Sequence, residues 1–248
     1  MKNFPRTDLA SEFAGVSRTR FDGVCRISET VLDAAAAERY GRREGRYITV
    51  ETSAVTDGDG DARRRAAEAV AGALRDLADD CSRVLVAGLG NTQMTADALG
   101  AETCNALRTG GGVMCVTPGV PGITGIESYD VVKGVCERVR PTLVIAVDSL
   151  AAAATSRLGT VIQLCDAGIT PGSGVSNHKR PLTRETLGAQ VIGVGIPLVV
   201  YASTIIREAG GDDEGCDSLI VTPKEVDIYV KDAAELLAGA IERLRPFM

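Results

Sequence analysis

The chain has 248 residues, 45% of them hydrophobic and 24% charged, with a formal net charge of −6 and a pI near 5.0. That length can bury a sizeable core, and the acidic balance excludes a general nucleic-acid binder, which needs clustered Lys and Arg. No apolar run approaches the roughly 18 residues of a membrane span, and the opening MKNFPRTDLASEFAG has no signal-peptide core. These features predict a cytoplasmic protein with no membrane and no direct nucleic-acid partner.

The first 60 residues read as mixed and loop-rich, with one strand at RYITVET, 46–52, and a turn cluster at TDGDGD, 56–61. A helix is expected from Ala62 to about Asp79, because Ala66, Val70, Ala73, Leu74 and Leu77 recur at helical spacing. From Cys81 the pattern alternates. Strands are predicted at Val84–Ala87, Val113–Val116, Leu143–Val147, Val161–Cys165 and Val191–Val194. Helices are predicted at Asp97–Arg108, Ser128–Arg140, Ala151–Arg157 and Val199–Ala209. A last helix should start at TPKE, 222–225, with Thr222 as N-cap and Glu225 closing a capping box. Short Val- and Ile-rich runs separated by helices imply a three-layer α/β fold, its sheet mainly parallel with helices on both faces.

Seven cysteines form no C-x-x-C pair, so a zinc knuckle or disulfide framework is not expected. The single histidine, His178, lies in a polar Gly-rich loop, and one His cannot supply a H-E-x-x-H zinc site. No cofactor and no metal are expected. The loop after Val84–Ala87, Gly88-Leu89-Gly90-Asn91, resembles a nucleotide turn, but Gln93 stands where a Rossmann fingerprint needs its third glycine.

Carboxylates at strand ends are the better lead, since open α/β sheets bind ligands outside those ends. Asp148 follows one strand, Asp166 follows another, and Asp97 opens the helix after the glycine loop. Two close carboxylates can share a proton, one then activating water while the other protonates the leaving group. On the residues alone Asp97 reads better as an ordinary N-cap, and Asp166 reads equally as a turn residue before Ala167-Gly168.

At this point the chain resembles the germination protease (spore protease) family. The matching segments are RTDLA (6–10), REGRYITVE (43–51), VAGLGN (86–91), TADALG (95–100), PGVPGITGIES (118–128), LVIAVDSLAA (143–152), PGSGV (171–175), TLGAQVIGVGIPLVV (186–200) and VTPKEVD (221–227). The resemblance implies an endopeptidase with a fold similar to hydrogenase-maturation endopeptidases. Its substrates would be small acid-soluble spore proteins, degraded during germination in the spore core. It places the two catalytic aspartates at Asp97 and Asp148. It also implies a zymogen and a homotetramer. The family's preferred site, an acidic residue, then a hydrophobic one, then Ala, occurs at Asp8-Leu9-Ala10. Self-cleavage is expected between Asp8 and Leu9, leaving residues 1–8 as propeptide and 9–248 as a single peptidase domain.

Recognition of the acidic residue needs a cation, for which Lys179 and Arg180 are the candidates, with Lys133 behind them. Asn91 and Asp166 complete the supporting set. The chain departs from the family in two shortened segments, near Arg108–Val113 and Arg207–Leu219, and at Thr92, Ala96 and Ala153. Competing readings are a metal-dependent peptidase of hydrogenase-maturation type using Asp97, Asp148 and Asp166 as oxygen ligands, an inactive family member, and, from the glycine loop alone, a peptidyl-tRNA hydrolase.

Overall fold

The computed structural model describes residues 7–23, 25–171, 180–211 and 216–244. In chain order the elements are β1 (Arg18–Asp22), β2 (Cys25–Leu32), α1 (Ala34–Tyr40), β3 (Gly45–Glu51), α2 (Gly60–Leu77), β4 (Val84–Gly88), α3 (Leu99–Ala106) and β5 (Val113–Val116). They continue with α4 (Pro121–Thr124), α5 (Ser128–Val139), β6 (Leu143–Ala152), β7 (Val161–Cys165), α6 (Arg184–Leu187), β8 (Gln190–Tyr201), α7 (Ala202–Glu208), β9 (Ile220–Val221) and α8 (Val226–Glu242).

Among the described residues all nine strands join one sheet in the order β1-β2-β3-β7-β8-β6-β4-β5, with β9 on the far end of β8. The expected α/β sheet with helices on both faces is present, and it is mixed. The β5-β4-β6-β8 half is parallel. β7 runs antiparallel to β8 and carries the antiparallel β3, β2 and β1 beyond it. The parallel half follows from the helical crossovers between its strands. In the other half β1 and β2 are joined by a tight turn that allows only antiparallel pairing, and β3 pairs antiparallel to β2 after the chain returns through α1.

One face of the sheet is covered by α2 and α8. Ala66, Val70, Ala73, Leu74 and Leu77 of α2 pack with Val230, Leu237 and Ile241 of α8 on Val86, Ile145, Ile162 and Ile192. A partly buried ion pair, Arg63 Nη1 to Asp232 Oδ2 at 2.6 Å, ties the two helices together. The opposite face receives α5 and α6, through Val132, Cys136 and Leu187 on Leu85, Val144 and Val191. Further along that face lies the N-terminal segment. Leu9 packs with Leu150, Ala152, Val161 and Val200, and Ala10 with Leu32, Tyr47 and Cys165.

Several expectations are corrected. Ala151–Arg157 is not a helix: β6 runs through Ala152, and only Thr155–Arg157 makes a 3-10 turn. Alanine favours helix, but β8 extends to Tyr201 beside it and supplies the pairing that overrides propensity. The helix expected from Val199 therefore begins at Ala202. The last helix begins at Val226, and its N-cap, Glu225, makes no side-chain cap bond, because Pro223–Glu225 is spent turning the chain away from β9. The strands β1 and β2 had no sequence forecast. No helix among the described residues is long and apolar enough to cross a membrane.

The glycines of the loop after β4 serve packing. A Cβ on Gly100 would stand 2.5 Å from both Leu89 O and Val147 O, so the first turn of α3 presses directly on the backbones of the loop and β6. Gly90 adopts φ +97°, and a Cβ there would overlap the Asp97 carbonyl. A Gly100→Ala variant is expected to lose about 1–3 kcal/mol of stability from overpacking against backbone that cannot yield. Urea unfolding measures this, and an unchanged midpoint would contradict the close approach.

Candidate active site

β4 ends at Gly88, opposite Val147 of β6, and Leu89 N donates to Val147 O at 2.8 Å. β6 continues past that last shared rung, so Asp148 is its first residue beyond the end of β4. Asp148 is buried, 8% exposed, and its Oδ1 accepts from Ser149 N at 3.0 Å. Asp97 reaches the same edge from the loop. It lies in a 3-10 turn, Thr95–Asp97, that packs against β6, β8 and α8. It is not the N-cap of α3, a position held by Ala98 without a side-chain cap bond. Instead Asp97 Oδ2 accepts from Asn91 N at 2.9 Å, and Asn91 Oδ1 accepts from Gln93 N at 2.9 Å. Asn91 thus works through its own turn and backbone N–H to fix the Asp97 carboxylate. Asp97, Asn91 and Asp148 share the carboxyl edge of the parallel half.

The same edge holds a peptide segment. Asp148 and Gln163 both face Gly195 in the ladder, so the three form one cross-strand row whose side chains share a face. The chain from Thr7 to Ala10 is held at the Gln163 end of that row and at Ala151, three residues along β6 from Asp148. Asp8 N donates to Ala151 O at 2.8 Å, and Asp8 O accepts from Gln163 Nε2 at 2.8 Å. Asp8 therefore bridges β6 and β7 across the intervening β8. Ala10 N donates to Gln163 Oε1 at 2.6 Å. The Asp8 carboxylate accepts from Ala151 N at 2.9 Å through Oδ2 and meets Arg42 Nη1 at 3.3 Å through Oδ1. Arg42 also donates to Thr7 O and stacks over the Phe13 ring.

Arg42 is aimed by the end of α1. Gly41, at φ 63°, closes that helix, with Gly41 N bonding Glu38 O at 3.3 Å and Arg42 N bonding Ala37 O at 2.9 Å. This Schellman pair reverses the chain and returns Arg42 to the sheet. Glu12 completes the seat. It accepts from Thr7 Oγ1 and from Ala153 N, the latter at 2.9 Å.

Other expected members lie elsewhere. Asp166 is not at this edge, because β7 is antiparallel to β8 and its carboxyl end points the opposite way. It sits three residues beyond the Gln163 row, about 10 Å along the strand, where its Oδ1 accepts from Arg46 N at 2.8 Å. The three-carboxylate set of the metal reading is therefore not assembled. Arg180 is exposed, paired with Asp130 at 4.0 Å and stacked over Tyr129, and Lys133 pairs with Glu137 on α5. Lys179 and His178 lie outside the described residues. Sequence reasoning missed Arg42 and Gln163. Gln163 carried a signal, an amide in the middle of the apolar run VIQLC, whereas Arg42 in GRREGR looked like a solvated loop.

An extended segment hydrogen-bonded across a sheet edge that carries two carboxylates has the parts of a peptide-bond hydrolase. The germination protease family model matches residues 6–110 and 108–210, so the chain belongs to the germination protease family, a family of endopeptidases. The break in the match falls at the short Gly110–Gly112 connection before β5. A germination protease of Caldanaerobacter subterraneus subsp. tengcongensis is 34% identical, over 95% of this chain and 92% of the relative. One from Clostridium perfringens is 30% identical over 98% and 96%. One from Halalkalibacterium halodurans is 39% identical over 78% of this chain and 57% of the relative, so this chain spans little more than half of that protein. Among solved structures, the NiFe hydrogenase maturation protease HycI from Thermococcus kodakarensis KOD1 is similar at TM-score 0.45 and 23% identity, over 69% of this chain and 97% of that one.

The buried thiols Cys104 and Cys165 are poorly placed for chemistry. Burial pushes Cys165 up to about 12, and burial beside Cys115 raises Cys104 as well. A raised thiol pKa means that the nucleophilic thiolate is scarce at neutral pH. Brief iodoacetamide treatment of the folded protein at pH 8 should leave Cys104 and Cys165 unlabelled, and mass spectrometry of tryptic peptides reads this. Labelling of Cys165 as fast as a denatured control would contradict its burial.

Proposed function

We propose that this protein is a self-processing endopeptidase that degrades small acid-soluble spore proteins during germination, cutting after Asp or Glu and before a hydrophobic residue. The observation that carries the reading is the seating of Asp8-Leu9-Ala10 on Gln163, which shares a cross-strand row with Asp148, and on Ala151 of β6. An acidic residue, a hydrophobic residue and Ala lie there in the order expected of a cleavage site. Asp148 and Asp97 would share the proton work, one carboxylate drawing a proton from water while the other, protonated, supplies the leaving nitrogen.

Arg42, with the Ala151 N–H, takes the acid-reading role in place of Lys179 and Arg180. Its guanidinium supplies the charge and the backbone N–H fixes one carboxylate oxygen. Residues 1–8 would leave as propeptide, the mature chain would be 9–248, and the assembly would be a homotetramer acting in the spore core.

Mass spectrometry of the wild type incubated with a small acid-soluble spore protein, beside Asp148→Asn, tests the reading. Loss of residues 1–8 and substrate cuts after Glu or Asp are expected, with both absent in the variant. Cleavage that persists in Asp148→Asn removes that residue from the mechanism, and a wild type that cuts nothing overturns the activity. Arg42→Met should lower the preference for peptides with Glu over Gln before the cut by at least tenfold, read as the ratio of kcat/KM values. An unchanged ratio would return the acid-reading role to another cation.

A further inference from the structure

Gln163 stands apart from the residues assigned so far. It is a neutral amide in the middle of an apolar strand, 6% exposed, and both of its polar atoms are committed to one partner segment. Those bonds go to successive peptide groups on the two sides of Leu9. Nε2 donates to the carbonyl oxygen of the Asp8–Leu9 amide, and Oε1 accepts from the N–H of the Leu9–Ala10 amide. The oxygen that receives the Nε2 hydrogen bond is the one on which negative charge would develop if the Asp8–Leu9 amide were hydrolysed.

We propose that Gln163 is a catalytic residue, the side-chain donor that polarises the carbonyl of the cut bond and stabilises its oxyanion. This rests on the reading above that Asp8–Leu9 is the bond cut in the chain itself. Water oxygen forms a bond to the Asp8 carbonyl carbon while one water proton passes to a carboxylate of the Asp97 and Asp148 pair. The carbonyl π electrons move onto the oxygen held 2.8 Å from Nε2. Collapse breaks the C–N bond, and the Leu9 nitrogen takes a proton from the carboxyl pair. Water is the only co-reactant.

The amide is suited to this task. It is held in place from the other end by Ala10 N–H, so it needs no reorganisation as charge appears. Its burial strengthens a hydrogen bond to a charged oxygen more than exposure to water would. A carboxylate at this position would repel the oxyanion, and an aliphatic side chain would leave it without this donor. A spore-protein segment taking the same seat would meet the same donor once Leu9 and Ala10 have also left it.

The test uses the full chain. First-order self-cleavage at Asp8–Leu9 is followed by mass spectrometry in wild type, Gln163→Glu and Gln163→Met, with circular dichroism and thermal midpoints beside it. A peptide substrate gives kcat and KM separately. Loss of one such donor is expected to slow cleavage about 10²–10³-fold, with the loss in kcat and KM moved by no more than a few fold. Self-cleavage within threefold of wild type in a variant that keeps the native spectrum overturns the proposal. So does a loss confined to KM, which would make Gln163 a seat for the peptide alone.

The wild type supplies a readout independent of how the variants fold. In a complex with a peptide whose Asp–Leu amide is replaced by a phosphinate, one phosphinate oxygen should lie within about 3.1 Å of Gln163 Nε2. Both oxygens lying elsewhere overturns the assignment. A wild type that does not cut at all fails the activity itself, whereas a cutting wild type with an equally fast Gln163 variant fails this inference alone.

Discussion

The candidate site depends on unequal strand lengths. β4 stops at Gly88, while β6 runs on from Asp148 to Ala152 with β8 as its continuing partner. Had the two strands ended together, Asp148 would sit in a loop, and Ala151 would have no fixed backbone to offer the Asp8 segment. β4 stops where it does because its chain must turn under the first helix of the crossover. The Gly88 and Gly100 backbones meet there with no room for a Cβ on either. The glycine loop that suggested a nucleotide turn is therefore a packing device. It moves the chain off the sheet and leaves the β6 overhang uncovered on that side.

The overhang and the antiparallel half of the sheet act together. Because β7 runs against β8, it brings Gln163, a residue from its middle, level with Gly195 and Asp148. A parallel β7 would have brought Asp166 toward this edge, as the sequence pattern suggested. The reversal exchanges a third carboxylate for an amide. A row with carboxylate at one end and neutral donor at the other suits a peptide carbonyl, which needs water delivered on one side and its oxygen held on the other. A cluster of three carboxylates would suit a cation instead.

Much of the fold was legible from residue order. The strands β4, β5, β6 and β7 and the helices α2 and α5 stand within a few residues of where apolar periodicity put them, apart from the extra length of β6. What failed did so where tertiary pairing outranks local preference. Ala151–Ala154 has helix-forming composition, yet its first two residues are strand because β8 lies alongside. β1 carries charged and exposed residues and is held by β2 alone, so it shows no alternation to read. At the candidate site, Asp148 drew notice as a carboxylate after an apolar run, whereas Asp97 also read as a helix cap, and the resemblance singled out the pair. Arg42 could not be named from sequence, because its role depends on a left-handed glycine that turns it back onto a segment 34 residues away.

The contacts on the two sides of the Asp8–Leu9 bond differ in kind, and that difference shapes what processing would leave behind. Asp8 is held by polar contacts alone: the Arg42 pair, the Ala151 backbone and the Gln163 amide. Its ion pair is partly solvated, 28% and 20% exposed, and pairs of that kind contribute about 0–1 kcal/mol. Leu9 and Ala10 are 0% exposed and packed into separate apolar clusters. Burial of the Leu9 side chain alone is worth about 1.5–3 kcal/mol. Once the proposed cut removes covalent continuity, Asp8 keeps only polar contacts that water can replace, while Leu9 and Ala10 keep their apolar anchorage. The Arg42 and Gln163 Nε2 donors would be vacated first, and a spore-protein segment would fill the whole seat once Leu9 and Ala10 also leave their clusters. A second acidic residue can then approach the seat from the solvent side, guided by an arginine whose position is fixed by α1 rather than by the segment that has left.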